Sequence, residues 1–220
     1  MAQPTASDIP LREFWDNNRV SEFIEQECHP SMTVSSGTSP LSVRLARTEQ
    51  VEEIRAMVNY AYRKEGHVFK LVEERKRTND NEVKRLIEES ATTPHGIVCL
   101  LNAETNELLG SIFVQFKKDP QTIYFGMLAK EEKKIQPGAT FSFGSLQNLS
   151  FGQLMIEMVA YVGKLGKCET VTCVVFNVST ALVQFYKNKC KLEEYGTDDV
   201  PFKEEMKKDA HFIKLRRSIE

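Results

Sequence analysis

The sequence has no window approaching the ~20 consecutive apolar residues that a membrane-spanning helix needs. Residues 1–10 also lack a basic stretch followed by an apolar one, so neither a membrane anchor nor a leader is expected. Charge of one sign is missing too. The 29 Lys and Arg stand against 31 Asp and Glu, a formal charge of -2, which gives no general electrostatic reason to bind nucleic acid or anionic lipid. Neither a nucleic acid nor a membrane is expected as a partner. Cysteine is sparse and unpatterned: Cys28, Cys99, Cys168, Cys173 and Cys190 are odd in number and show neither CxxC nor Cys/His ligand spacing. A disulfide framework and a zinc site are therefore not indicated, and no metal is expected. What remains is a 220-residue chain, 41% hydrophobic and 27% charged, enough for one folded domain, expected in the cytoplasm.

Residues 1–40 read as an N-terminal helix and a linker, and 41–220 as the globular domain. Asp8-Ile9-Pro10 looks like a helix start before Leu11, Phe14, Trp15 and Phe23. The run HPSMTVSSGTSP after Cys28 is rich in Ser, Thr, Gly and Pro, a composition of turns and linkers. Alternation over 41–47 predicts a half-buried strand, and Thr48 an N-cap for a helix in which Val51, Ile54, Val58, Ala61 and Tyr62 share one stripe. A second helix is predicted over 81–90, and strands over 97–101, 108–116 and 122–128, separated by turn formers.

After the Gln136-Pro137-Gly138 turn, a further strand over 139–143 leads to Gly144 and then to a helix over 152–166, closed by Gly166. A buried strand over 170–176 ends at Asn177, and Ser179-Thr180 open a helix containing Ala181, Phe185 and Tyr186. Final strands are predicted near 192–195 and 211–215. The whole is α/β of the mixed, α+β kind, with an open, largely antiparallel sheet flanked by helices.

The loop Gln147-Asn148-Leu149-Ser150-Phe151-Gly152-Gln153 precedes a helix, and a helix N-terminus exposes unpaired N–H groups and the positive end of the macrodipole. Small residues at Ser150 and Gly152 allow close backbone approach to phosphate oxygens, and Gln147 adds a neutral donor. The expected donors are the N–H groups of Leu149, Phe151, Gly152 and Gln153. Two strands are open as the one feeding this loop, 122–128 and 139–143; adjacency favours the second, because in the alternative loop 136–139 Pro137 lacks an N–H.

Strand, loop and helix, followed by strand, Asn177, helix and Tyr186, resemble the acetyl-CoA core of the Gcn5-related N-acetyltransferases over roughly 42–215. That family's loop reads Gln/Arg-x-x-Gly-x-Gly/Ala; Gln147 and Gly152 match its first and last named positions, with Ser150 at its first glycine. Downstream, Asn177, Ala181 and Tyr186 fit the family's pattern, whereas its Gly-Phe ending reads Lys189-Cys190-Lys191-Leu192 here.

The resemblance implies a sheet splayed at the acetyl-CoA site, with the coenzyme as co-substrate. It implies that the strand edge around Phe141, Ser142 and Phe143 pairs with the pantetheine arm, that Asn177 contacts the coenzyme, and that Tyr186 protonates the departing thiolate. The reaction implied is direct attack of an amine, on a small molecule or a peptide, in a ternary complex. No carboxylate or histidine lies in 139–143 to act as base; Glu65, His67, Tyr124, Glu131 and Glu132 are the remaining candidates. Acceptor contacts are expected from 67–80, where Arg77 suits a substrate carboxylate, from 195–208, and from Tyr124. A monomer or homodimer is expected. Two other classes stay open: a catalytically weakened protein that binds acetyl-CoA or CoA as ligand or regulator, and a coenzyme-free interaction module.

Overall fold

A computed structural model describes residues 5–35, 37–63, 76–118, 121–206 and 209–219. Pro10 sets the extended entry to α1 (Leu11–Asn17), and Arg19, with φ of 47°, breaks the chain before α2 (Val20–Phe23). Leu11, Phe14 and Trp15 are buried, and the Phe14 ring stands edge-on to Phe116 at 4.8 Å. Trp15 Nε1 donates to Ser21 Oγ at 2.9 Å, and Ser21 Oγ donates to the Val43 carbonyl at 2.6 Å, which ties these helices to the sheet.

The run expected as a linker is instead a hairpin of β1 (Ser31–Val34) and β2 (Gly37–Leu45), with Ser31 opposite Pro40. A stretch rich in Ser and Thr forms strand here because its backbone groups pair on both sides: β1 also pairs with β6. After β2 come α3 (Val51–Arg63) and α4 (Asp80–Glu89), the latter capped by the Asn79 side chain accepting from the Glu82 N–H. Next are β3 (His95–Asn102), β4 (Leu108–Lys117), β5 (Thr122–Lys130), and the hairpin of β6 (Thr140–Phe143) and β7 (Leu146–Leu149). The chain closes with α5 (Phe151–Leu165), β8 (Thr170–Phe176), α6 (Thr180–Gln184), β9 (Glu193–Asp199) and β10 (His211–Ser218).

The ten strands form one sheet in the order β7-β6-β1-β2-β3-β4-β5-β8-β10-β9. Among the described residues every pairing is antiparallel except β5 with β8. Alternation along β3 shows how the faces are divided. Ile97, Cys99 and Leu101 lie under α3 and α4 with Ile54, Met57, Val83 and Ile87, whereas Val98 and Leu100 lie in the larger core shared by α1, α2 and α5. Among the described residues no helix is long and apolar enough to cross a membrane.

Candidate active site

The parallel contact between β5 and β8 lasts three residues: Thr122 opposite Thr170, Ile123 opposite Val171, and Tyr124 opposite Thr172. Both strands continue, β5 to Lys130 and β8 to Phe176, without pairing further. The cause lies in β5. Its register against β4 passes from Phe113 opposite Gly126 to Ser111 opposite Ala129, which inserts one extra residue, and Met127 takes a φ of 48° to absorb it. The bulge reverses the faces of the strand: Ile123 and Phe125 belong to the core under α5, but Met127 and Ala129 belong to the core under α3 and α4. β5 therefore bends away from β8 beyond Tyr124, and a wedge opens with a bare strand edge along its β5 side.

Tyr186 stands at this wedge. It is buried, and its ring meets Phe125 edge-on at a centroid distance of 5.8 Å. It sits on a π-helical turn, Phe185–Lys189, that continues α6 and accommodates one residue more than an α-turn holds.

The head of α5 completes the arrangement. Ser150 is its N-cap: its Oγ accepts from the Gln153 N–H, while Gln153 Oε1 accepts from the Ser150 N–H at 3.1 Å. The N–H groups of Phe151 and Gly152 are left among those a helix start offers to an outside acceptor, at the positive end of a 15-residue helix. Phe151 anchors this head, with its ring so close to Gly110 that a Cβ there would lie 2.2 Å from Cζ. Phe185 lies against Gly152, where a Cβ would meet its ring at 2.8 Å, and Gln153 Nε2 donates to the Lys189 carbonyl at 3.1 Å. The head of α5 and the turn carrying Tyr186 are thus in contact.

The residues singled out in the sequence divide accordingly. Ser150, Phe151, Gly152 and Gln153 form the helix head. Leu149 ends β7 and is buried, whereas Gln147 and Asn148 are exposed in β7, Asn148 with a φ of 58°. The strand edge expected at Phe141, Ser142 and Phe143 is a correction. β6 lies between β1 and β7, with Ser142 Oγ 2.6 Å from Ser31 Oγ, so it has no free edge, and β5 is the strand beside β8. The preference for 139–143 as the strand feeding the loop is corrected with it. The chain leaves β5, turns at 136–139, forms β6 and β7 at the far end of the sheet, and only then starts α5.

Asn177 ends β8 as expected, but its side-chain oxygen accepts from the His211 N–H at 3.0 Å and its N–H donates to the His211 carbonyl, so the amide oxygen is engaged in holding β10. Glu131 and Glu132 lie on the turn after β5, toward α3: Tyr60 Oη donates to Glu132 at 3.4 Å, and Lys134 pairs with Glu53 at 2.8 Å. Glu65 and His67 lie outside the described residues. Tyr124 is partly buried at the start of the wedge, and burial pushes its phenol up to about 12, so it stays protonated at neutral pH. The guanidinium of Arg77 rests over the Tyr62 ring at 5.5 Å from its centroid. The bulge at Met127 and the contact of Phe185 with Gly152 were not anticipated; the signal for the first was Gly126, a glycine inside a strand pattern.

No protein-family model matches the sequence, and no curated protein matches it. Solved structures do match. The spermidine N-acetyltransferase of Vibrio cholerae, solved with CoA and spermine, has a TM-score of 0.58 at 12% identity, over 81% of this chain and 95% of its own. A GNAT-family acetyltransferase of Streptococcus pneumoniae has a TM-score of 0.56 at 13% identity, over 82% and 99%. YncA of Salmonella typhimurium, solved with acetyl-CoA, has a TM-score of 0.56 at 8% identity, over 82% and 94%. The fold is that of the Gcn5-related N-acetyltransferases. The mixed sheet and flanking helices expected from the sequence are those of this Gcn5-related fold. In this chain it carries a β6–β7 excursion that separates the bulged strand from the helix head.

Proposed function

We propose that the protein is an acetyl-CoA-dependent N-acetyltransferase that passes an acetyl group to an amine by direct attack in a ternary complex. The observation that carries the reading is the wedge between β5 and β8, with a bare β5 edge, Tyr186 against it and a helix head nearby. These residues fit the coenzyme. The β5 edge offers backbone groups to an extended amide chain, and the N–H groups of Phe151 and Gly152 suit a pyrophosphate. When bound, the coenzyme supplies an activated thioester. In this reading a backbone N–H on the bulge near Met127 polarises the acyl carbonyl, and the Tyr186 hydroxyl gives its proton to the departing thiolate. Tyr124 and Arg77 line the acceptor side, and a small-molecule or peptide amine is the acceptor class.

Thermal unfolding with acetyl-CoA and with CoA tests the coenzyme. A ligand at a hundred times its Kd adds ~2.7 kcal/mol, which raises Tm by roughly 5–10 °C for a chain of this size. No shift with either would remove the reading and leave the coenzyme-free module. Release of CoA thiol with an amine panel tests turnover. Tyr186→Phe keeps the ring on Phe125 and is expected to lower kcat at least tenfold with the acetyl-CoA Kd within about twofold. A second reading, binding of coenzyme without turnover, is supported by the state of the candidate bases: Glu132 accepts from Tyr60 Oη, and burial keeps Tyr124 protonated. It predicts a thermal shift with no thiol release from any amine.

A further inference from the structure

Where β8 and β10 continue the sheet beyond β5, its α3/α4 side is open to solvent: Val174 on β8 and Arg216 on β10 are exposed. One cross-strand row runs over this face. Tyr124 lies opposite Thr172, and Thr172 opposite Arg216, so the three side chains leave the sheet on the same side, with the Tyr124 and Arg216 backbones ~10 Å apart. Tyr62 at the end of α3, Arg77 before α4 and Tyr195 on β9 lie within electrostatic range of the Tyr124 phenol, as does Cys173 from the opposite face of the sheet.

Each of the three tyrosines already carries a cation of this chain. Arg77 lies 5.5 Å from the Tyr62 centroid, Lys117 4.6 Å from Tyr124, and Arg216 5.3 Å from Tyr195. The cluster is therefore not an empty aromatic cage for a polycation, because a cationic ligand would meet like charge at every ring. Carboxylates neutralise it only in part, because Glu82 pairs with Arg77, at 3.8 Å. Asp198 pairs with Lys214 at 2.7 Å, while among the described residues Lys117 and Arg216 have no ion pair.

We infer that the acceptor at this site is an amine that also carries an anionic group, a carboxylate or a phosphate, held by Arg216 and Arg77 while the amino group reaches the wedge beside Tyr124. This rests on the acetyl-transfer reading. Arginine suits either anion through two parallel N–H donors. Positive surroundings also favour the neutral, nucleophilic form of the amine, in a site where the described residues bring no carboxylate to the bare strand edge.

The test uses four probes: O-phosphoethanolamine, glutamate, ethanolamine and spermidine. Binding is measured by calorimetry with and without acetyl-CoA, and turnover by thiol release. The expected result is that O-phosphoethanolamine or glutamate exceeds ethanolamine and spermidine at least tenfold in kcat/KM, the better of the two showing which anion is read. Arg216→Gln is expected to raise the KM of that acceptor at least tenfold, with the KM of acetyl-CoA unchanged and partial recovery in Arg216→Lys. Preference for spermidine, or an Arg216→Gln variant with an unchanged acceptor KM, overturns the inference while leaving acetyl transfer intact. Failure of acetyl-CoA to bind removes the transferase reading instead. The calorimetric arm without coenzyme then decides the anion site: tighter binding of an anionic amine, weakened by Arg216→Gln, upholds it, and binding equal to that of ethanolamine refutes it.

Discussion

Single residues set the distances on which the site depends. Gly110 is where the Phe151 ring reaches the sheet, and any Cβ there meets both that ring at 2.2 Å and the Ala129 carbonyl at 2.8 Å. The backbone contact cannot relax by a rotamer change, so Gly110→Ala is expected to cost about 1–3 kcal/mol in denaturant unfolding. It should also lower acetyl-CoA affinity, because Phe151 fixes the head of α5. Gly126→Ala is the contrast. Its Cβ would meet the end of the Tyr124 side chain at 3.3 Å and no backbone atom as close, so stability should change by less than about 1 kcal/mol. Asn177 illustrates a limit of reading residues in isolation. Its place at the end of β8 followed from the apolar run before it, but whether its amide faces a ligand or a neighbouring strand depends on β10, more than thirty residues later.

Elements were legible where their pattern is local. The run 170–176 is the observed β8, and α5 begins and ends within a residue of the helix predicted over 152–166, because an apolar stripe bounded by a serine cap and Gly166 specifies such a helix by itself. Ser150 belongs to that local account. At the family's first glycine it forms a capping box, so Ser150→Ala is expected to cost ~1 kcal/mol in unfolding and Ser150→Gly only a few tenths. The strands that escaped notice, β1 and β7, are four residues each, half of them polar; β1 is held in part by the distant β6, and β7 buries only Leu149. The same non-local pairing hid the edge of the site. Nothing near 139–143 signals that β6 is flanked on both sides, and nothing near 122–128 signals that β8 departs after Tyr124, apart from Gly126.

At the scale of the whole molecule, burial pushes several acids upward together: Cys28 to about 11, and Cys168, Cys190 and Tyr124 to about 12. In the unfolded chain these groups lose their protons earlier, between about 8.5 and 10. The folded state therefore holds more protons across pH 9–12, and stability should be level below that window and fall steadily through it. Denaturant midpoints measured from pH 7 to 12 check this; a flat profile above pH 9 would contradict it. The path of the chain also has a consequence in time. β1 is complete by Val34, yet one of its two partners, β6, ends at Phe143, with Ser31 opposite Ser142. At a synthesis rate of ~5–20 residues per second, a nascent chain exposes that strand edge for roughly 5–20 s before its partner emerges. The N-terminal hairpin is therefore the part of this protein most in need of shielding on the ribosome.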